Sequence, residues 1–410
     1  MLMIITALLG KGFVFMNIMV SDVENLVESV KHDVMKWRRH LHQNPELSFQ
    51  ETRTAQFVYD TLQSFGGLEV SRPTATSVMA RLIGARPGKT LALRADMDAL
   101  PITEENTFDF VSDNPGVMHA CGHDGHTAIL LGAARILSGM RGELAGEVRF
   151  LFQHAEELFP GGAQQMVDAG VMEDVDLVIG AHLWAHMEVG LIAVRAGELM
   201  AAPDTFGITI IGKGGHAADP EHTVDSIAIG AQVVTNLQHI VSRQTDPLKS
   251  MVVSVTKFIG GTADNVIPGA VELTGTVRTF DPQLREMAPV LMERIIKGVT
   301  EAHGAAYEFR YQNGYSPVIN NDEVTKLLEE SLKEAFGETV VRPALPTMGG
   351  EDFSAFQKQA PGSFFLIGAG NGSKGITAPH HHPRFTVDED ALAIGVKAFV
   401  AVTRHVLSNA

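Results

Sequence analysis

The stretch MHACGHDGHTA, residues 118–128, holds Cys121, the one cysteine in 410 residues, with three histidines and an aspartate within five positions. Cys121 and His123 stand two apart, and Gly122 lets the backbone turn between them, so thiolate and imidazole can face one cation. His126 follows three residues later. Without such neighbours a lone cysteine is an ordinary small buried residue. As a nucleophile it would need a base and an oxyanion hole. Nearby carboxylates argue against that role, because they raise a thiol's pKa unless a metal compensates.

Those carboxylates and further imidazoles come from other segments. FQHAEELFPGG offers Glu156 and Glu157, GAHLW offers His182, and APHHHPRF offers His380, His381 and His382. RADMDALP offers Asp96 and Asp98, and MGGEDFSAF offers Glu351 and Asp352 behind two glycines. Each has a plainer reading: adjacent glutamates usually sit on a solvated surface, and a single histidine is more often structural. Jointly, the donors suffice for two divalent ions. Their mixture of N, O and S suits zinc, manganese, cobalt or nickel better than calcium or magnesium. Of two adjacent glutamates, one can bind metal while the other accepts a proton from the attacking water.

Residues so far apart must be gathered by a scaffold. The apolar runs within TLALRADMDALP (90–101), EVRFLFQHAEE (147–157), DLVIGAHLW (176–184) and SFFLIGAG (363–370) suit buried strands of a parallel sheet. Helical patterns lie between them, such as TAILLGAARILSGM, which predicts an α/β sandwich. Sites in such sheets form beyond the carboxyl ends of strands, where Asp96, Asp98, Glu156, Glu157 and His182 are expected. From about 204 to 314 the pattern becomes β-α-β-β-α-β, the ferredoxin-like plan. The expected organisation is therefore a catalytic domain of residues 1–203 and 315–410, with residues 204–314 inserted.

Composition narrows the function classes. A net charge of −16 repels phosphate backbones, so no nucleic-acid partner is expected. No basic amphipathic stretch suggests a membrane surface. A single cysteine excludes an intrachain disulfide and fits a reducing cytoplasm. The apolar start MLMIITALLGKGFVFMNIMV lacks a basic leader region and is interrupted by Lys11, so it reads as an upstream start or an extra packed segment before the helix at VENLVESVKHDVMKWRRHLHQ.

From RRHLHQNPELSFQE (38–51) to HHHPRF, the motifs RADMDALP, HACGHDGH, AEE, GAHLW, GKGGHAA, NVIPG, GTVRTFD and GGEDF follow one another. On these the chain resembles the aminoacylase/carboxypeptidase superfamily of co-catalytic metallohydrolases, and within it the hippurate hydrolase and indole-acetyl-amino-acid amidohydrolase branch. The resemblance implies a metallopeptidase-type α/β catalytic domain with a mostly parallel sheet. It also implies that the ferredoxin-like insert is a lid that makes a homodimer. Cys121, His123, Glu157, His182 and His381 would bind two divalent metals, His381 because the family's last ligand stands two residues before the proline, here Pro383. Glu156 would be the general base, with Asp98 and Asp96 orienting the ligands. His216 would help hold the oxyanion in a partner subunit's site. Asn265 and Arg278 would grip the carboxylate of a small N-acyl-amino acid. The family usually carries proline where His154 stands, and His154 reads as an extra weak ligand or a steric substitute. Two alternatives are a carboxypeptidase or dipeptidase of the same superfamily and a metal-binding protein without catalysis.

Overall fold

The computed structural model describes the backbone of residues 2–408 and the side chains of residues 23–408. The expected packing of residues 1–18 concerns side chains outside the described residues. The chain divides into a first unit of residues 1–197, 320–345 and 355–410 and a second of residues 198–319 and 346–354.

The first unit is built on an eight-stranded sheet. Its strands are β1 (Glu69–Ser71), β2 (Val78–Ile83), β3 (Arg86–Asp96), β4 (Ala145–Gln153), β5 (Leu177–Glu188) and β6 (Ile192–Val194), followed by Val341–Pro343 and Gly362–Gly370. Across the sheet the order is β1, β2, β4, β3, β5, the 362–370 strand, β6 and the 341–343 strand. The four central strands, β4, β3, β5 and 362–370, are mutually parallel. They are the four apolar runs of the sequence, and all nine residues of the 362–370 strand are buried, as a sheet covered on both faces requires. Helix α1 (Leu2–Gln43), helix α3 (His123–Gly139) and the C-terminal helix (Asp390–Leu407) meet on one side of it. They come together at Gly132, where a Cβ would lie 2.7 Å from Val34 Cγ2 and 2.8 Å from Val396 Cγ2. Helix α2 (Thr52–Phe65) completes the segment that begins with α1.

The second unit follows the β-α-β-β-α-β order. Strands Ala202–Ile211, Met251–Ile259, Ala270–Thr279 and Ala306–Gln312 form one sheet with helices Ser226–His239 and Pro282–Ala302. Taken in chain order, the strands lie second, third, first, fourth, every neighbour antiparallel. The alternating burial of Ala270–Thr279 reflects one apolar face turned to the helices. Asp225 and Asp281 start the two helices by accepting backbone N–H bonds. Residues 346–354, read from the sequence as part of the larger domain, cluster with this unit instead. Their backbone is the reason: Thr347 N donates to Leu199 O, and Ala201 N donates to Gly349 O at 2.9 Å.

Candidate active site

Asp96 closes β3, and His154 follows β4 directly, with Glu156 and Glu157 two and three residues on. Both β3 and β4 thus deliver acidic residues at their carboxyl ends, as the sheet rule requires. His182 differs from expectation. It lies inside β5, which continues to Glu188 because the neighbouring 362–370 strand pairs with it, Leu366 opposite His182. On the other side, pairing with β3 stops at Arg94 and Gly180. His182 therefore clears the β3 edge while its own strand runs on.

Cys121 and His123 reach the same place through a helix start. Gly122 has φ 95°, the left-handed region that glycine tolerates, and it sets His123 in the first turn of α3. The thiol and the imidazole then face inward together. Cys121 Sγ lies 3.5 Å from His182 Nε2. His182 Nδ1 donates to Leu183 O at 2.7 Å, which leaves the Nε2 lone pair toward the sulfur. Burial, with His126 and His380 adding, holds His182 well below the usual imidazole value, so it is neutral and able to ligate.

His123 has the opposite environment. Its Nδ1 lies 3.2 Å from Asp98 Oδ1, and its Nε2 is 3.7 Å from Asp96 Oδ2 and 3.9 Å from Glu157 Oε1. Burial lowers its pKa, but Asp96, Asp98 and Glu157 outweigh burial and push it up to about 10. Asp98 is fixed in turn by Ser48 Oγ at 2.7 Å and Glu157 N at 3.0 Å. Asp96 accepts from Arg94 Nη1 at 2.8 Å and from His126 Nδ1 at 2.6 Å.

His126, grouped with Cys121 and His123 by spacing, is scaffold. Its Nδ1 proton goes to Asp96, and its Nε2 accepts from Leu183 N at 2.8 Å. Both ring nitrogens are spent, so it ties α3 to β5 and has no lone pair for a cation. His154 also points elsewhere: its Nε2 lies 3.1 Å from Gln165 Oε1 and its ring packs edge-on against Phe49.

The three consecutive histidines separate cleanly. His380 Nε2 donates to Leu183 O at 2.9 Å, and burial pushes the ring down to about 4. His382 Nδ1 accepts from Arg384 N. His381 Nε2 lies 3.2 Å from Glu157 Oε1, and its backbone N donates to Ala120 O at 2.8 Å, beside Cys121. His381 has φ 63°, a conformation that a non-glycine residue holds only where its surroundings enforce it.

The donor set fits divalent ions. Cys121, His123 and His182 form one group of mutually close ligand atoms, Cys121, Glu157 and His381 a second, and His123, Glu156 and Glu157 a third, each within 4.8 Å. Among the described residues, His123 Nε2 and Glu157 Oε1 are buried without a hydrogen-bond partner, the latter despite His381 nearby. Burial, then Glu157, Glu156 and Asp96, raise the Cys121 thiol well above its usual value, so a thiolate here needs a compensating cation. A dense acidic cage, a thiol that cannot ionise unaided and unspent imidazole nitrogens make a coherent cation site.

His216, Asn265 and Arg278 belong to the second unit. Gly215–His216 pairs with Val266–Ile267 as a short ribbon, and Ala217 N donates to Asn265 O at 3.0 Å, so His216 and Asn265 stand together. Ala218 N donates to His216 Nδ1 at 3.0 Å, which puts the ring proton on Nε2 of this exposed side chain. Arg278 is half-buried, its Nε donating to Thr276 Oγ1 at 2.9 Å and its Nη1 to Met348 O at 3.3 Å.

The family model for peptidase family M20/M25/M40 matches residues 92–405. The chain is 69% identical over 302 residues to an N-acyl-L-amino acid amidohydrolase of Geobacillus stearothermophilus, covering 74% of this chain and 82% of that one. It is 41% identical over 384 residues to thermostable carboxypeptidase 2 of Saccharolobus solfataricus, covering 93% and 97%. Among solved structures, the Bacillus subtilis YXEP protein, a dinuclear metal binding peptidase, superposes with a TM-score of 0.80 at 36% identity, covering 92% of this chain and 98% of that one. With the metal-type cage on the α/β sheet and these likenesses over most of its length, the chain belongs to peptidase family M20/M25/M40.

Proposed function

We propose that this protein is a metal-dependent amidohydrolase that cleaves N-acyl-amino acids to a carboxylic acid and a free amino acid. The observation that carries the reading is the convergence of five donor side chains beside an additional glutamate. Cys121, His123, Glu157, His182 and His381 would hold two divalent ions, drawn from zinc, manganese, cobalt or nickel by the softness of the set. Bound ions supply Lewis acidity, lowering the pKa of water and polarising an amide carbonyl. Glu156 takes the proton of the attacking water and returns it to the leaving amine. Asp98 keeps His123 oriented through the 3.2 Å contact to Nδ1.

His216, with its proton on Nε2, is suited to donate to the developing oxyanion. Arg278 and Asn265 grip the substrate's carboxylate, Arg278 by a bidentate pair. The second unit acts as lid and as the seat of a homodimer, in which His216 serves the other copy's site. Its strand Met251–Ile259 supports this, being an edge of the sheet with Phe258 and Ile259 exposed. Among the described residues no helix is long and apolar enough to cross a membrane. A cytoplasmic location completes the reading, since reducing conditions protect the Cys121 thiol.

The 41% identical carboxypeptidase favours a second reading, cleavage of C-terminal residues from peptides. A panel of hippurate, N-acetyl-amino acids, dipeptides and longer peptides, assayed on apo protein refilled with single metals, tests both. The amidohydrolase reading expects the highest kcat/KM on N-acyl-amino acids. A preference for peptides would replace it with the second reading, and no metal-dependent hydrolysis of any would overturn both.

A further inference from the structure

Between α1 and α2, two buried carboxylates have different tasks. Glu46 caps α2: its Oε2 accepts from Arg53 N and Thr54 N at 2.9 Å and from Thr54 Oγ1 at 3.0 Å. Glu51 occupies the position directly before α2, where a short polar side chain usually does that capping, and it makes no cap bond. It is fully buried and turns to a distant segment. Its Oε1 accepts from Ala155 N at 2.8 Å and from Phe49 N at 3.0 Å. Its Oε2 has no hydrogen-bond partner among the described residues. A carboxylate kept in such a place, with the helix already capped by Glu46, costs stability unless the Ala155 contact matters.

Ala155 is the second of two residues between β4's end and the glutamate pair. Its φ of 49° is left-handed, a conformation disfavoured for alanine. It is held from both ends, N by Glu51 and O by Gly162 N at 2.9 Å. Phe49, with φ 66°, is a second left-handed residue bonded to the same carboxylate oxygen. One oxygen thus fixes a left-handed residue on each of two segments. From this turn Glu157 N reaches Asp98 Oδ2, and Glu157 Oε1 comes near His123 and His381.

We propose that Glu51 is a positioning residue: through the Ala155 N–H it sets the turn that aims Glu156 at the substrate and Glu157 at the metals. The proposal rests on the roles given to Glu156 and Glu157 above. Glu51 itself touches neither substrate nor ligand atoms. What it must supply is an acceptor oxygen at one place, rather than a charge. Burial, with Asp98 adding, pushes its carboxyl up to about 7, so a neutral amide is a fair replacement near neutral pH.

The test compares Glu51→Gln, Glu51→Asp and Glu51→Ala in the full-length protein loaded with manganese, with kcat, KM and the manganese Kd measured for each. Gln keeps the oxygen and loses the charge; Asp keeps the charge and withdraws the oxygen by one methylene. Ala and Asp are expected to lower kcat by about 10²-fold, the scale of a 1 Å misplacement, and to weaken manganese binding in parallel. KM should stay within about threefold, because the carboxylate grip is made elsewhere. Gln should restore kcat to within about fivefold of the parent and restore the manganese Kd. The order Gln above Asp is the decisive result, and both conservative variants report it even if Ala fails to fold. Asp equal to or above Gln, or Ala at parental kcat, overturns the proposal. Glu156→Gln, run alongside, separates the two failures: activity in that variant overturns the base assignment itself, whereas its inactivity with an active Glu51→Ala removes only the positioning role.

Discussion

Two acids, one in each unit, show what divides structure from chemistry in this chain. Across residues 202–312, the stretch of the four-stranded sheet and its two helices, Asp204 is the one buried charged side chain. It is saturated: Arg285 donates from Nε and Nη2, Tyr311 from its hydroxyl at 3.0 Å, and Gly314 from its backbone at 2.8 Å. Glu157 in the first unit is the opposite case. It faces a crowd of other acids across His123, and its Oε1 is buried without a hydrogen-bond partner among the described residues. A satisfied buried charge ties elements together, whereas a surplus of unsatisfied donors of one sign asks for a cation.

The largest effect expected from this contrast is on chemistry. Glu156→Gln should lower kcat by about 10²- to 10⁴-fold while the protein still binds its metals, measured by hydrolysis and metal analysis together. A Gln variant near parental kcat would remove the assigned base. The saturated acid predicts a different loss. Arg285→Ala leaves Asp204 buried with fewer partners and should destabilise the second unit by about 3–5 kcal/mol, read from denaturant unfolding. A change below about 1 kcal/mol would make Asp204 no more than a surface pair.

Smaller effects sharpen the comparison. Arg278→Ala should raise KM by about 10- to 100-fold for substrates with a free carboxylate, the scale of losing a hydrogen-bonded charge pair. Equal losses on carboxylate-free amides would take that role away.

The buried cluster behind His123 offers a pH signature. Arg38 Nε donates to Asp124 Oδ2 at 2.8 Å, and His42 Nδ1 lies 2.8 Å from the same oxygen. Burial lowers His42, but Asp124 and Glu104 outweigh it and leave its pKa raised. Its stabilising share is therefore complete below about pH 6.5, the unfolded value, and is lost as pH rises through the folded one. Asp124 runs the other way. Burial opposes its ionisation, yet Arg38 and His42 hold it well below the usual range, so its share is lost only as pH falls through that low value. Unfolding free energy should decline above about pH 6.5, with His42 contributing up to about 1.4 kcal/mol per pH unit beside His123, and His42→Gln should make that limb shallower. Parallel curves for parent and variant would contradict the assignment.

Much of this was legible in the sequence, and the residues show why. The central strands are continuous apolar runs that only a doubly covered sheet explains, and the second unit's alternation announces a half-buried sheet. Short edge strands such as Glu69–Ser71 and Val341–Pro343 carry too few residues for any period to emerge. Ligand types at strand ends pointed to the cage, but spacing alone could not tell His126 from His123. That distinction lies in the Leu183 N–H, fifty-seven residues from His126 along the chain. Glu51 was hidden for the same reason: its partner, Ala155, stands beyond helices α2 and α3 and strands β1 to β4, and nothing local marks it. His380 and His381 differ only through a carbonyl on β5 and a turn at φ 63°.

The central claim is that these distant segments close around two cations. Crystals grown with manganese, measured by anomalous scattering at the manganese edge, test it most directly. The account predicts two peaks, with Cys121 Sγ, His123, Glu157, His182 and His381 at bonding distances of about 2.0–2.3 Å. Peaks elsewhere, or Cys121 and His182 both outside bonding distance of any ion, would contradict it.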